Sequence, residues 1–275
     1  MQSFTIALCQ ITPTRDKTAN IAQAFSMIKE AARNGASCIV LPEIFYFPFE
    51  LLTLRRFSGD EMQLVHRFTE VARKFQVHIC SGSMVIADGT SRFNRSQLFG
   101  PTGEELLSYD KCHLFDVQLK DMRVKESLVF THGDHASAVD TDLGRIGIVI
   151  CYDIRFPEIT RHLARWGTEL LLVPAVFNQV TGPAHWECFM RTRAVENQFF
   201  VAAASQGRIL DPKAPYQAFG HSMVVDPWGT VIAEAGEEET ILYADLDATV
   251  LESTRKRLPL LQHRRDTLYT SFEKE

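Results

Sequence analysis

Apolar positions along the chain alternate between short unbroken runs and helical spacing, the pattern of an α/β protein whose strands are covered on both faces. Phe4 to Cys9 is one such run, followed by a helix that carries Ile21, Ala24, Ile28 and Ala31 on one face and ends at Asn34-Gly35. Cys38 to Leu41 then reads as a buried strand stopped by Pro42, which completes a βαβ unit. Leu64, Val65, Phe68, Val71, Ala72 and Phe75 mark a second helix, and Val77 to Ile86 reads as the strand after it. Two hairpins follow: Ser96 to Phe99 and Glu104 to Tyr109 flank Gly100-Pro101-Thr102-Gly103, and Ser137 to Thr141 and Arg145 to Cys151 flank Asp142-Leu143-Gly144.

After Cys151 the opening plan repeats. Pro157 begins a helix to about Trp166, Gly167 ends it, and Leu170 to Val173 is a strand running into Pro174. The segment after the first helix is Gly-Ala-Ser-Cys-Ile-Val-Leu-Pro-Glu and the segment after this one is Gly-Thr-Glu-Leu-Leu-Leu-Val-Pro-Ala, so two sheet halves related by a rough twofold are expected. A helix over Trp186 to Glu196, a strand Phe199 to Ala204, a hairpin turning at Asp226-Pro227-Trp228-Gly229, a strand Ile241 to Leu246 and a short helix near Val250 to Leu258 complete the elements. The last dozen residues read as irregular and exposed.

Composition narrows the class. The 275 residues, 45% hydrophobic and 23% charged, suit one compact unit with a sizeable core and exclude wholesale disorder. A net charge of -5 gives no general attraction for polyanions, so nucleic acid is not an expected partner. The most apolar stretches, Ile146 to Cys151 and Leu170 to Phe177, fall far short of the roughly 20 residues that span a bilayer. No basic segment precedes a long apolar one at the N-terminus, so neither a membrane span nor a secretory signal is expected and the reading is cytoplasmic. The six cysteines are scattered without a Cys-x-x-Cys pair, as reduced thiols would be. With no dinucleotide fingerprint and no P-loop, no cofactor is expected.

In open α/β sheets, sites form beyond the C-terminal ends of strands, and three reactive side chains stand at such ends. Glu43 follows Pro42, Lys111 follows the strand ending near Tyr109, and Cys151 follows Ile146-Gly147-Ile148-Val149-Ile150. Singly, each has a plain alternative, as a surface carboxylate, a rim charge and core filler. Together their chemistry is complementary: a base to take a thiol proton, and a cation to lower the thiol pKa or to face the oxygen of a tetrahedral adduct. The trio reads as acyl transfer on a cysteine. His132 and His135 of His-Gly-Asp-His have metal-like spacing but no third ligand and read as exposed loop residues, so no metal is expected. His185 is available for a papain-like pair with Cys151, although with Trp186 and Glu187 it reads as opening a helix. Arg255-Lys256-Arg257 and Arg264-Arg265 read as a solvated face or a subunit contact.

The stretches LPEIF around Glu43, YDKCHLFD around Lys111 and GRIGIVICYDIRFPE around Cys151, in this order and spacing, resemble the nitrilase, or carbon-nitrogen hydrolase, superfamily. The resemblance extends from Phe4 through DPWGTV into the C-terminal region. It implies a single carbon-nitrogen hydrolase domain over residues 1–275, built as a four-layer αββα sandwich of the nitrilase type. It also implies a homodimer or higher homo-oligomer joined through helical faces, with the tail from about 262 to 275 contacting a partner subunit. Glu43 is then general base and acid, Lys111 stabilises the oxyanion, Cys151 is the nucleophile that forms a thioester, and Glu126 in VKESLVF is a second glutamate holding the lysine or the substrate. The backbone N–H of Tyr152 is the expected second oxyanion donor.

Within the superfamily, FNQVTGPAHWE, RTRAVENQ and FGHSMVVDPWG look most like omega-amidases, which hydrolyse the side-chain amides of α-ketoglutaramate and α-ketosuccinamate. This match implies a substrate pocket containing Arg155, Phe177 and Thr181. Independently, a dicarboxylic acid monoamide needs a cationic anchor, and Arg155, close after the nucleophile, is either that anchor or a structural ion-pair partner. One stretch departs from the pattern. Omega-amidases tend to follow their glutamate with a loop like Phe-Asn-Ser-Pro-Tyr-Gly, whereas Phe45-Tyr46-Phe47-Pro48-Phe49-Glu50 is bulkier and acidic near the expected entrance. The competing readings are a nitrilase-family amidase acting on deaminated glutathione or an N-carbamoyl compound, and a non-catalytic binding protein on the same fold.

Overall fold

Strands β1 (Phe4–Gln10), β2 (Cys38–Val40) and β3 (His78–Cys80) lie side by side and parallel. Helix α1 (Lys17–Arg33) returns the chain from β1 to β2, and the single turn α2 (Leu51–Leu54) and helix α3 (Glu61–Phe75) return it from β2 to β3. The computed structural model describes residues 1–57, 61–119, 122–209, 214 and 216–272. Strands β4 (Met84–Asp88), β5 (Ser91–Phe99) and β6 (Glu105–Asp110) extend the sheet antiparallel, and β7 (Asp116–Gln118) and β8 (Arg123–Lys125) form a small separate hairpin.

The second sheet contains β9 (Ser137–Thr141), β10 (Gly144–Ile148), β11 (Leu170–Ala175), β12 (Phe200–Ser205), β13 (Met223–Val225) and β14 (Val231–Glu234), in the order β14-β13-β12-β11-β10-β9. Helices α4 (Pro157–Arg165) and α5 (Gly182–Asn197) link its parallel trio β10, β11 and β12. The chain then returns to the first sheet, where β15 (Thr240–Leu246) pairs with β1 and gives the order β15-β1-β2-β3-β5-β4, with β6 on β5. Helices α6 (Ala248–Arg257), α7 (Leu260–His263) and α8 (Asp266–Phe272) follow.

The unbroken apolar runs are explained by burial on two sides. Ile6, Leu8, Cys38 and Val40 pack toward the second sheet with Ile146, Ile148 and Leu171, while Ala7, Cys9, Ile39 and Leu41 pack under Phe25, Ile28, Phe68 and Ala72 of α1 and α3. On the other side, Leu163 of α4 and Trp186, Met190 and Ala194 of α5 cover the second sheet. The result is the α–β–β–α sandwich. The two look-alike segments, Gly35 to Glu43 and Gly167 to Ala175, carry β2 and β11, each the middle strand of its parallel trio.

Where the elements depart from the sequence reading, local chemistry gives the reason. The expected strand Val77 to Ile86 is broken at Ser81-Gly82-Ser83. Gly82 adopts a φ of 68° and passes so near Pro42 that a Cβ would strike the Pro42 carbonyl oxygen. Ser83 donates its N–H to that oxygen at 3.2 Å, and its Oγ accepts the Ile44 N–H at 3.0 Å. The interruption therefore holds the loop after β2. Gly82→Ala should lower stability by at least about 1–2 kcal/mol from the left-handed backbone alone, read as a lower denaturant midpoint; an unchanged midpoint would show that this loop has room to move.

Similarly, the run toward Cys151 leaves the sheet at Ile148, because Cys151 opens a 3₁₀ turn, Cys151–Arg155. Helix α5 starts a turn before Trp186, with Pro183 in its first turn. The tail is helical rather than irregular: Arg165 and Arg264 both pair with Asp266 at the start of α8, where an acid suits the helix dipole. Residues 273–275 of that tail lie outside the described residues. Arg255 is not solvated either, since it donates to the carbonyls of Gln198 and Thr168 at 2.9 and 2.7 Å and ties α6 to the second sheet. Among the described residues no helix is long and apolar enough to cross a membrane.

Candidate active site

Both parallel trios deliver the chain to one place. Glu43 leaves β2 through Pro42, fully buried, and its neighbour Ile44 takes a φ of 46°. Lys111 leaves β6 with its backbone N–H on the Asn94 carbonyl at 3.0 Å and its side chain 1% exposed. Its Nζ donates to Glu43 Oε1 at 2.8 Å and to Glu126 Oε1 and Oε2 at 3.0 and 2.9 Å. Glu126 opens a 3₁₀ turn after β8 and is itself fixed by the Phe115 N–H, 2.6 Å from Oε2. One buried ammonium thus serves two buried carboxylates, and the cluster carries a net negative charge.

Cys151 stands at the head of its 3₁₀ turn with a φ of 46°, a conformation a side chain adopts only where its surroundings hold it. Asp153 supplies that hold. This buried carboxylate accepts the Ile150 N–H at 3.0 Å, the Tyr109 hydroxyl at 2.7 Å and the His113 N–H at 2.8 Å, with His113 Nδ1 also at 2.8 Å. Tyr109 and His113 flank Lys111 in sequence, so one acid clamps the lysine segment to the Cys151 turn.

The electrostatics follow from burial and charge. Burial raises the Glu43 pKa, the Lys111 charge lowers it and Glu126 raises it again, with a net rise. Burial works to depress Lys111, but Glu126 and Glu43 outweigh it and hold the ammonium well above the ordinary lysine range. Burial and the Glu43 charge push the Cys151 thiol well up, against the pull of Lys111. At rest the sulfur is therefore a thiol beside a carboxylate that readily accepts a proton. Glu43 Oε2, the oxygen not taken by Lys111 or Asn94, is buried and accepts from no nitrogen or oxygen donor among the described residues. The Glu43 carboxylate also faces the Cys151 thiol.

Glu43, Lys111, Cys151, Tyr152, Arg155, Phe177 and Thr181 all line one narrow pocket; Glu126 does not, and instead holds Lys111 from behind. Among the described residues Arg155 forms no ion pair, and its side chain meets His185. Its guanidinium lies over the rings of Phe177, Phe189 and Tyr152 at 4.9, 5.0 and 5.7 Å. The loop after Glu43 is not an acidic lip: Phe45, Tyr46, Phe47 and Phe49 are buried, only Phe49 lines the pocket, and Glu50 is neutralised by Arg15 at 2.8 Å. His185 does not serve Cys151, since its Nδ1 meets Arg155 Nη1 at 3.0 Å and the acid neighbouring the thiol is Glu43. His132 and His135 are exposed, and no group of three or more metal-ligating side chains occurs among the described residues. All six cysteines are free.

The family model for carbon-nitrogen hydrolases matches residues 5–256. The chain belongs to the carbon-nitrogen hydrolase family. This hydrolase is 40% identical to omega-amidase NIT2 of Mus musculus over 280 residues, covering 100% of both chains. Saccharomyces cerevisiae Nit3, a member of the nitrilase superfamily, superimposes with a TM-score of 0.87 at 36% identity, over 96% of this chain and 97% of that one. A point mutant of a Nesterenkonia amidase, at 25% identity, TM-score 0.81 and coverage of 98% and 97%, carries the acetamide moiety of fluoroacetamide covalently on its active-site cysteine.

Two further residues of this hydrolase organise its centre and were not foreseen. Asn94, in β5, donates through Nδ2 to Glu43 Oε1 at 2.8 Å and Glu126 Oε1 at 3.2 Å, orienting both carboxylates. Gln206, at the end of β12, reaches from the second sheet to the carbonyls of Glu43, Ile44 and Phe47 at 2.9, 2.9 and 3.1 Å. An asparagine inside a strand that is partly apolar was the available signal for Asn94. Gln206 offered none.

Proposed function

We propose that the chain hydrolyses the side-chain amide of small α-keto dicarboxylic acid monoamides, α-ketoglutaramate and α-ketosuccinamate, to the acid and ammonia. The reading is carried by Arg155, a cation lining the same pocket as Glu43 and Cys151, whose buried Nε has no hydrogen-bond partner among the described residues. Buried polar groups are ordinarily satisfied, so an unfilled donor outlines what is bound. Here the outline is a carboxylate facing a thiol and a cationic donor beyond it, which fits a reacting amide with an oxygen-rich anionic end. The likeness to omega-amidase NIT2 supports the same substrate class.

In the reaction, Cys151 Sγ bonds to the amide carbon while its proton passes to Glu43. Lys111 Nζ and the Tyr152 N–H receive the oxyanion. Collapse breaks the C–N bond as Glu43 returns the proton to nitrogen, and ammonia leaves a thioester on Cys151. Water then adds to the thioester carbon with Glu43 taking its proton, and the C–S bond breaks as the thiol is restored. Glu126 touches no reacting atom in this scheme and acts by positioning Lys111.

A panel of amides assayed for ammonia release, with Cys151→Ala as the blank, tests the reading. α-Ketoglutaramate should rank above deaminated glutathione, N-carbamoyl compounds and neutral amides; a lower rank overturns the substrate class, and silence across the panel favours a binding protein. Arg155→Met should raise KM for α-ketoglutaramate at least about thirtyfold, since truncating one partner of a buried charge pair costs roughly 2–5 kcal/mol. The same reading includes a homodimer through the outer faces of α4 and α5, near the exposed Trp166 and Val195.

A further inference from the structure

His185 is absent from the chemistry above, yet it makes the one polar contact of the Arg155 side chain among the described residues, Nη1 to Nδ1 at 3.0 Å. A guanidinium has only donors, so Nδ1 must accept, and the ring is held as the neutral tautomer with its proton on Nε2. The rings of Phe177, Phe189 and Tyr152 sandwich the guanidinium but leave its in-plane rotation free, because aromatic faces offer no directional hydrogen bond. The imidazole fixes that rotation. With Nη1 engaged, the edge made by Nε and Nη2 is left for a ligand, and Nε is a buried donor without a partner among the described residues. That edge is one of the two forks by which arginine grips a carboxylate with two parallel hydrogen bonds.

The support behind His185 is rigid. Its N–H donates to the Thr181 carbonyl at 2.9 Å in the first turn of α5, and its ring meets Phe189 one turn on at 5.9 Å. Trp186, the next residue, is buried and anchors the helix through Nε1 on the His221 carbonyl at 2.6 Å. Arg193 of the same helix, which also lies over Phe189, is already satisfied by Glu196 and by the carbonyls of Ile154 and Arg155, so it neither competes for the histidine nor supplies the free fork.

We propose that His185 is a positioning residue for specificity: as a neutral acceptor it turns Arg155 so that the Nε–Nη2 edge faces the pocket, and the pair selects amides that carry a carboxylate. The proposal rests on Arg155 as the carboxylate anchor. The test compares α-ketoglutaramate with a neutral amide such as butyramide in wild type, His185→Ala, His185→Asn and Arg155→Met. His185→Ala should lower the anionic-to-neutral ratio of kcat/KM by about tenfold, the scale of one charge-assisted hydrogen bond, mainly through KM for α-ketoglutaramate and with less change in kcat. His185→Asn, whose Oδ1 can stand near the place of Nδ1, should recover most of the ratio. His185 is on the surface, so the thermal midpoint of the variants should stay close to wild type. A His185→Ala enzyme that loses both substrates equally, or is not rescued by asparagine, overturns the proposal while leaving Arg155 in place. An Arg155→Met enzyme with an unchanged ratio overturns the anchor and the proposal together.

Discussion

Glu43→Gln should lose turnover by about 10²–10⁴-fold, the typical contribution of a positioned proton-transfer group, while folding normally. The amide oxygen can keep the place of Oε1, which accepts from Lys111 and Asn94, so the supporting contacts survive. The amide nitrogen then occupies the place of Oε2, which no nitrogen or oxygen donor bonds among the described residues. What disappears is the carboxylate acceptor facing the thiol, replaced by a donor that cannot take a proton. In the proposed scheme the same oxygen serves attack, ammonia release and thioester hydrolysis, so no step escapes the loss. Steady-state ammonia release alongside thermal denaturation separates the outcomes, and near-normal turnover in a stable Glu43→Gln enzyme would remove the residue from the mechanism. In the wild type, a base whose pKa is raised by burial must lose its proton before it can work, so kcat/KM should rise with pH through a limb above the ordinary carboxylate range. That limb belongs to the cluster of Glu43, Lys111 and Cys151 as a whole.

Lys111→Met should be costly in two measurements at once. Removing the shared ammonium leaves Glu43 and Glu126 buried with only the Asn94 amide and backbone donors between them, and breaking a buried pair by deleting one partner costs about 3–5 kcal/mol. Urea denaturation near neutral pH should show that loss. With the cation gone, burial and the neighbouring Glu126 raise the Glu43 pKa further above its unfolded value, so the penalty is present at high pH, where the unfolded chain ionises freely. It shrinks as pH falls toward the unfolded carboxylate pKa of about 4.3, where both states are protonated. Stability equal to wild type at neutral pH would mean that Lys111 does not balance these acids. Activity should fall as well, since one preorganised oxyanion donor is worth about 2.7–4 kcal/mol of barrier.

The parts of this site that could be read from the chain are those that end strands. Glu43 and Cys151 each follow an apolar run and Lys111 follows the second arm of a hairpin, and a reactive side chain at a strand end is conspicuous. The doubled plan was legible for the same reason, because β2 and β11 are covered on both faces and must be continuously apolar. Glu126 stood out only by resemblance, since a short turn after a small hairpin has no periodicity to mark it. Asn94, Asp153, Gln206 and His185 acquire their roles from elements far apart in sequence, and each alone is an ordinary polar residue in a strand, turn or helix. The break at Gly82 was hidden because the alternation around it suits a strand; the demand for it comes from Pro42 and Ile44 on a neighbouring segment.

The three carbonyl contacts of Gln206 have a wider meaning for how this molecule is put together. They moor Glu43, born on one slab, to the slab that carries the sulfur of Cys151, so neither slab holds the whole cluster by itself. Two fragments severed between β6 and β9 would regain chemistry only by docking within hydrogen-bond tolerance of their native alignment, which makes turnover a reporter of how faithfully the halves reassemble.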